Sequence, residues 1–487
     1  IGFFLCAAVL ILSCTLNTRK KRAEDGAALA TKWCSSCHLF PEPSLLDKST
    51  WLNDVLPAMA PKLGLDIMYE TTMPGFDSSN AISIDEWRQL IYYYNQHAPD
   101  SMPAQNRPLV NLTTDRFVVQ LPGKQTSDLP ATSMVKIDST NQRIYIADAI
   151  DSSLNMYDAK TLQLVSRHRL KNVLVDMDFG IYPKHPGTRT GIATYIGIMH
   201  PNDELTGSVH SFSIDRNATD FKTTLIADSL PRPVQSLLLA APSVLICGFG
   251  NQVKGGAFIQ TIDGRKPLIE RPGALHAQII DVEKDGKLDI VVLMAQANEG
   301  IYLLRNQDSG KYESRELVKF SPLNGSSYFE LIDFDKDGDE DILYTAGDNA
   351  DYSAKALKNY HGVYIFVNDG KWNFKKQYFF PINGCYKAMA RDFDGDGDLD
   401  IAAISYFPDP RQLNESFVYL EQRSMWQFTA STVSGVNTHG WITMDVGDAD
   451  GDGDQDVVLG GMNIPGRKIE KDGKVARGFV VLRNRLR

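Results

Sequence analysis

The stretch Asp392-Phe393-Asp394-Gly395-Asp396-Gly397-Asp398-Leu399-Asp400, which runs straight into the apolar Ile401-Ala402-Ala403-Ile404, decides how this 487-residue chain reads. Carboxylates at the first, third and fifth positions of such a loop converge on one point. Glycine at the sixth allows the sharp turn and an acid at the ninth closes the site, so the spacing is that of a calcium loop. Three more segments share it: Asp281, Glu283, Asp285, Asp289; Asp333, Asp335, Asp337, Asp341; and Asp448, Asp450, Asp452, Asp456. An EF-hand is excluded, because its twelfth position needs a bidentate glutamate and here that position is Val292, Tyr344, Ala403 or Leu459. Each loop leads into β-type sequence instead, so the ion is expected to staple two strands. Glu283 and Lys287 weaken the first loop, and the expectation is three to four calcium ions.

The loops begin at residues 281, 333, 392 and 448, a period of 52 to 59 residues, which indicates a solenoid or a propeller. After each loop strand comes a second apolar strand ending in Asn or Gln (Asn306, Asn368, Gln422, Asn484). In the first three units an aromatic strand follows, around Tyr312, around Trp372 with Phe374, and around Trp426 with Phe428. With the strand ahead of the loop, each unit has four strands, which is a propeller blade. The last unit ends at Arg487 one strand short, and Arg116-Phe117-Val118-Val119-Gln120-Leu121 has the pattern to supply it. The ring is expected to close there, leaving no open edge at the seam. Seven blades fit in 116–487 if the early ones, at 134–157, 174–214 and 234–262, are shorter and lack the acidic loop.

The four loops hold 20 of the 60 acidic residues, so most of the net charge of −10 is metal-site charge. No basic tract neutralises phosphates, which argues against nucleic acid as a partner.

Ahead of the repeats, Cys34-Ser35-Ser36-Cys37-His38 is the C-x-x-C-H pattern of covalent haem attachment. Two thiols one helical turn apart can each add to a haem vinyl group, and the histidine that follows points its ring at the iron. A zinc site would need a second ligand pair nearby, and no cysteine recurs before Cys247; a thioredoxin-like pair would want a βαβ setting. The flanks read as helices: 24–33 into the motif, 44–59 in the middle, and a last one opened by the capping box Ser83 to Glu86 and carrying Ile84, Trp87, Leu90, Ile91 and Tyr94 on one face. His97 reads as its solvated end. A methionine thioether is the candidate sixth ligand, Met59 or Met73, with Met68 weaker. Cys247 and Cys385 are expected as buried free thiols.

The apolar run from Ile1 to Ile11, too short to span a bilayer, reads as the core of an export signal whose start is truncated. It ends in Ile11-Leu12-Ser13-Cys14, which resembles a bacterial lipobox with Cys14 as the lipid attachment residue. The expected organisation is therefore a lipoprotein signal (1–14), a tether (15–23), a small all-α haem domain (24–100), a linker (101–115) and an all-β propeller (116–487).

Five residues ahead of each loop stand His276, Tyr328, Lys387 and Thr443, and three ahead stand Gln278, Glu330, Met389 and Asp445. Equal register places them around one opening, on the face away from the acidic loops, where radial folds bind ligands. No nucleophile–base pair, phosphate loop or nucleotide fingerprint is visible.

The repeats resemble FG-GAP/VCBS repeats of integrin-type propellers, and residues 24–100 resemble the cytochrome c fold. The combination is similar to a family of bacterial cytochrome–propeller lipoproteins. Within it, Trp51-Leu52-Asn53-Asp54-Val55-Leu56-Pro57-Ala58-Met59 looks like the segment that carries the sixth ligand, favouring Met59 over Met73. The resemblance implies an electron carrier with one covalent haem c and calcium. It would be exported to the periplasm or cell surface, anchored to a bacterial, outer-type membrane, and would serve a redox partner protein. The rivals are a propeller dehydrogenase that reduces its own haem and a carbohydrate- or protein-binding adhesin with an accessory haem domain.

Overall fold

The computed structural model describes residues 25–103, 107–110, 112–123, 131–180, 188–215, 220–239, 242–307, 310–351, 356–437, 440–462 and 478–486. The signal segment with Cys14 and the tether lie outside them. The chain forms two compact units: an N-terminal one that also takes in Phe320–Leu323 and Asn349–Asn359, and a larger one from Arg107 onward.

The larger unit is a seven-bladed β-propeller. Seven sheets follow one another in the chain, and the first strand of each lies innermost, against the first strands of the blades on either side. These inner strands are Thr132–Asp138, Leu174–Phe179, Pro233–Leu238, Ala274–Ile280, Ser326–Ile332, Cys385–Arg391 and Trp441–Gly447, and they number blades 1 to 7. The second strands Asp289–Met294, Asp341–Ala346, Asp400–Ser405 and Asp456–Gly461 are buried at every residue. Covered on both faces by neighbouring blades, after the leading aspartate they are mostly apolar, with Thr345 and Ser405 the polar exceptions, and show no polar alternation.

The ring closes as the sequence pattern suggests. Phe117–Gln120 pairs antiparallel with Phe479–Asn484, setting Phe117 opposite Asn484 and Gln120 opposite Val481, and so becomes the outer strand of blade 7. Phe117 is 4% exposed and meets the rings of Phe393 and Tyr419 edge-on at 5.6 and 5.4 Å. Just ahead of it the chain is strapped to blade 6. Arg107 donates to both carboxylate oxygens of Glu415 at 2.8 and 2.9 Å, Asn414 donates to the Val110 carbonyl at 2.7 Å, and Leu112–Thr113 runs parallel to the outer strand Gln427–Thr432. The second half of the expected linker is therefore part of the propeller.

In the N-terminal unit a helix covers 25–34, and a second, Ile84–His97, carries the full capping box, with Ser83 and Glu86 each satisfying the other's backbone N–H. The middle segment is not one regular helix. It advances as Lys48–Thr50, a π-helical stretch Trp51–Val55, then Leu56–Met59. Pro57 has no N–H to donate and its ring crowds the carbonyl four residues back, which loosens the preceding turn. A two-residue β-pair, Leu65–Asp66 with Thr71–Thr72, also departs from an all-helical unit. Trp51, Leu90 and Tyr94 form its core, with the Trp51 and Tyr94 rings 4.3 Å apart.

Candidate functional site

The acidic loops of blades 5, 6 and 7 gather their carboxylates. One oxygen each from Asp333, Asp335 and Asp337, from Asp392, Asp394 and Asp396, and from Asp448, Asp450 and Asp452 lie within 4.8 Å of one another. The first aspartate organises the turn, accepting the N–H groups of Asp337 and Gly338, of Gly395 and Gly397, and of Gly451 and Gly453. Glycine at the sixth position has φ near +96°, +93° and +99° in the three loops, a conformation that side chains disfavour. Asp335 Oδ1, Asp398 Oδ1, Asp450 Oδ1 and Asp454 Oδ1 are buried without a hydrogen-bond partner among the described residues. Burial, then the nearby Asp452, push Asp454 up to about 7, and Asp335 is raised by burial and Asp337. Inward-facing, undonated oxygens crowded by like charge are what a divalent cation satisfies, so these residues fit calcium.

The blade 4 loop is built differently. Asp281 accepts from Asp285 and Gly286 as in the others, but Lys287 sits 3.1 Å from Asp285 and Arg305 3.2 Å from Glu283. Side-chain cations neutralise the acids there, and among the described residues this loop contributes no carboxylate cluster.

The ninth aspartates stand apart from the clusters. Asp289, Asp341, Asp400 and Asp456 are buried and accept the backbone N–H of Asn306, Asn368, Gln422 and Asn484 at 2.7, 2.9, 2.8 and 3.0 Å. The amides of those same residues donate to the carbonyls of Leu288, Glu340, Leu399 and Gln455. The Asn or Gln that ends each third strand thus locks the loop to the blade. The ninth acid, which stands at a ligand's spacing, is thus also a bracket between strands.

In the N-terminal unit, Cys34 ends the first helix half-buried, Cys37 is exposed in the following turn, and both thiols are free. Burial raises the Cys34 thiol, opposed by the Tyr94 hydroxyl 3.9 Å away. His38 Nδ1 is 2.8 Å from the Leu39 carbonyl, which makes it the N–H nitrogen and leaves Nε2 with the lone pair. The buried Trp33 indole N–H has no hydrogen-bond partner among the described residues. Met59 and Met73 are half-buried, Met68 is 80% exposed, and His97 is exposed with Nδ1 bonded to the Tyr93 carbonyl. Two free thiols followed by a histidine whose Nε2 keeps its lone pair fit a covalent haem.

At the centre of the propeller lies a cavity of about 340 Å³ that His276, Tyr328, Lys387 and Thr443 all line. Register explains the convergence. In all seven inner strands the pairing slips by one residue just before the cavity position, so a β-bulge re-aims Met134, Asp176, Gln235, His276, Tyr328, Lys387 and Thr443 inward. Met134, Asp176 and Gln235 escape a sequence reading because blades 1 to 3 have no acidic loop to align on. The position two residues further along does different work. Gln278, Glu330 and Asp445 accept the backbone N–H of Leu331, Ala390 and Ile137 at 2.7, 3.0 and 2.8 Å, bracketing each blade to the next. Gln278 and Glu330 serve the seams between blades, while Asp445 brackets its seam and also lines the cavity, as does Met389.

Within the cavity Lys136 pairs with Asp176 at 3.7 Å. Lys387 Nζ donates to the Met444 carbonyl at 2.9 Å and lies 4.6 Å from the Tyr328 ring centroid. The His276 and Tyr328 rings are 4.5 Å apart, and His276 Nε2 is buried without a partner among the described residues. Burial, then Lys387 and Lys136, hold His276 well below its ordinary pKa, so the ring is neutral at pH 7.

A family model described as an FG-GAP-like repeat matches residues 281–344 and 392–459. A 6-phosphogluconolactonase of Yersinia enterocolitica is 27% identical over 121 residues, 23% of this chain and 32% of that protein, so the chain spans about a third of that relative's length. Among solved structures the chain is similar to BBS1N in complex with ARL6DN (11% identity, 75% of this chain and 96% of that one, TM-score 0.44). It is also similar to Saccharomyces cerevisiae Sqt1 (10% identity, 72% and 83%, TM-score 0.40) and to an ancestral GH74 enzyme (10% identity, 76% and 50%, TM-score 0.44). At these scores the likenesses carry no argument. The chain carries FG-GAP repeats on a seven-bladed propeller.

Proposed function

We propose that this chain is an exported, lipid-anchored haem c electron carrier whose calcium-braced propeller docks a partner or ligand. The observation that carries the reading is the geometry of Cys34-x-x-Cys37-His38: two free thiols leave a helix end, and the next residue is a histidine whose Nδ1 is tied to a carbonyl so that Nε2 is free to ligate. The haem would supply one-electron transfer. Cys34 and Cys37 would fix it by thioether bonds, His38 would bind iron, and Met59 or Met73 would complete the axial pair. Exposure of Cys37 would leave an edge open for a redox partner protein. Asp333, Asp392 and Asp448, each with the third and fifth acids of its loop, would hold three calcium ions. Cys14 would carry the lipid that holds the protein at a bacterial membrane.

The test is to express the chain in a host with haem-maturation machinery and analyse the peptide spanning Cys34 and Cys37 by mass spectrometry. One haem adduct on that peptide, lost in a C34A/C37A double variant, is the expected result. An unmodified peptide from correctly exported protein would overturn the reading.

A further inference from the structure

We propose that the central cavity of the propeller is a binding site for a small hydroxylated carboxylate, a sugar acid or hydroxy acid, with Lys387 as its carboxylate anchor. Two cavity lysines differ in what they face. Lys136 has Asp176 at 3.7 Å, whereas Lys387 has no carboxylate within salt-bridge distance among the described residues and spends one of its three N–H groups on the Met444 carbonyl. Asp445, which also lines the cavity, has an oxygen engaged by the Ile137 N–H. An ammonium drawn out of bulk water with an acceptor deficit is stabilised by an anion. Consistent with this, burial and the nearby Lys136 lower the pKa of Lys387 against the pull of Asp445, Glu330 and Asp176, a shift that an incoming carboxylate would reverse.

The hydroxyl preference comes from the neighbours. His276 presents Nε2 without a partner, and a neutral imidazole nitrogen accepts from or donates to a hydroxyl according to its tautomer. Thr443 adds a hydroxyl, Ser133, whose own proton goes to the Leu174 carbonyl, adds an acceptor, and the adjoining His276 and Tyr328 rings give a face on which C–H groups pack. About 340 Å³ lies at the lower end of the range for small-molecule sites, about 300–1,000 Å³, which suits one sugar-sized molecule and excludes polymers.

The experiment is isothermal titration calorimetry on the full, calcium-loaded chain with D-glucuronate, D-gluconate, D-glucose and inorganic phosphate as probes. It needs no haem signal, so its outcome is independent of the electron-transfer reading. At least one of the two acids should bind, with glucose weaker by about tenfold or more, the worth of one charge-assisted hydrogen bond. K387M should weaken the acid by a similar factor, and H276A should weaken it less. Should K387M fail to fold, the acid-against-glucose comparison on wild-type protein decides alone. Binding of neither acid, equal binding of glucose, tightest binding of phosphate, or a folded K387M that binds like wild type would each overturn the proposal.

Discussion

Replacing Phe117 by alanine should loosen the seam where Phe117–Gln120 pairs with Phe479–Asn484. Phe117 is 4% exposed in the outer strand of blade 7, where its ring meets Phe393, Phe417 and Tyr419 edge-on at 5.6, 6.3 and 5.4 Å. Truncating a buried phenylalanine costs about 3–5 kcal/mol in lost transfer energy and residual cavity. Each edge-to-face contact adds about 0.5–1.5 kcal/mol beyond area, so the upper half of that range, about 4–5 kcal/mol, is expected. Val118, the next residue on the same strand, is 36% exposed, and V118A should cost about 0.5 kcal/mol. Urea unfolding in excess calcium gives both values from the shift in midpoint. If F117A lies within about 1 kcal/mol of V118A, Phe117–Gln120 does not close the ring.

Other outcomes follow from the same structure. Calcium titration of chelated protein should find three ions per chain; D394A should remove one and D281A none, because Lys287 and Arg305 already neutralise the blade 4 loop. Each ion present at a thousandfold over its dissociation constant should raise stability by about 4 kcal/mol, read as a chelator-dependent fall in Tm. R107A should cost about 3–5 kcal/mol in the same unfolding assay, since it strands the buried Glu415, whereas a double change to apolar residues at both positions should recover most of it. Burial pushes the Asp400 carboxyl up to about 7 against hydrogen bonds from Tyr419 and the Gln422 N–H. A carboxyl raised on folding contributes stability that is complete below its unfolded value near 4 and lost as pH rises through about 7. The Tm of chelated protein should therefore fall between pH 4 and 7, and D400N should flatten that slope; a slope unchanged in D400N would refute the assignment.

The four acidic loops announce themselves in the sequence because a turn that crowds carboxylates tolerates few other residues at positions one, three, five and six. They made the period, the blade and the closing strand Phe117–Gln120 readable. What escaped depends on partners that a linear pattern does not contain. Asp289, Asp341, Asp400 and Asp456 fall at a ligand's spacing, and nothing in that spacing announces that an oxygen of each also serves a backbone N–H 17 to 28 residues away. Gln278, Glu330 and Asp445 share a register with one another and bracket the next blade, because an inner strand exposes N–H groups that only a neighbour's side chain can reach. Asp176 and Gln235 enter the cavity through bulges in blades that carry no tag. In the N-terminal unit the capping box Ser83–Glu86 was legible to the residue, while the π-helical turn ahead of Pro57 was not, since apolar spacing is nearly the same for both helix types.

The reduced-minus-oxidised absorption spectrum of the purified mature chain bears most directly on the proposed role. A sharp haem c band that appears on reduction, shifts in H38A and vanishes in C34A/C37A is what the geometry at Cys34, Cys37 and His38 predicts. A colourless protein whose spectrum does not change on reduction, from a host that matures other cytochromes normally, would contradict it.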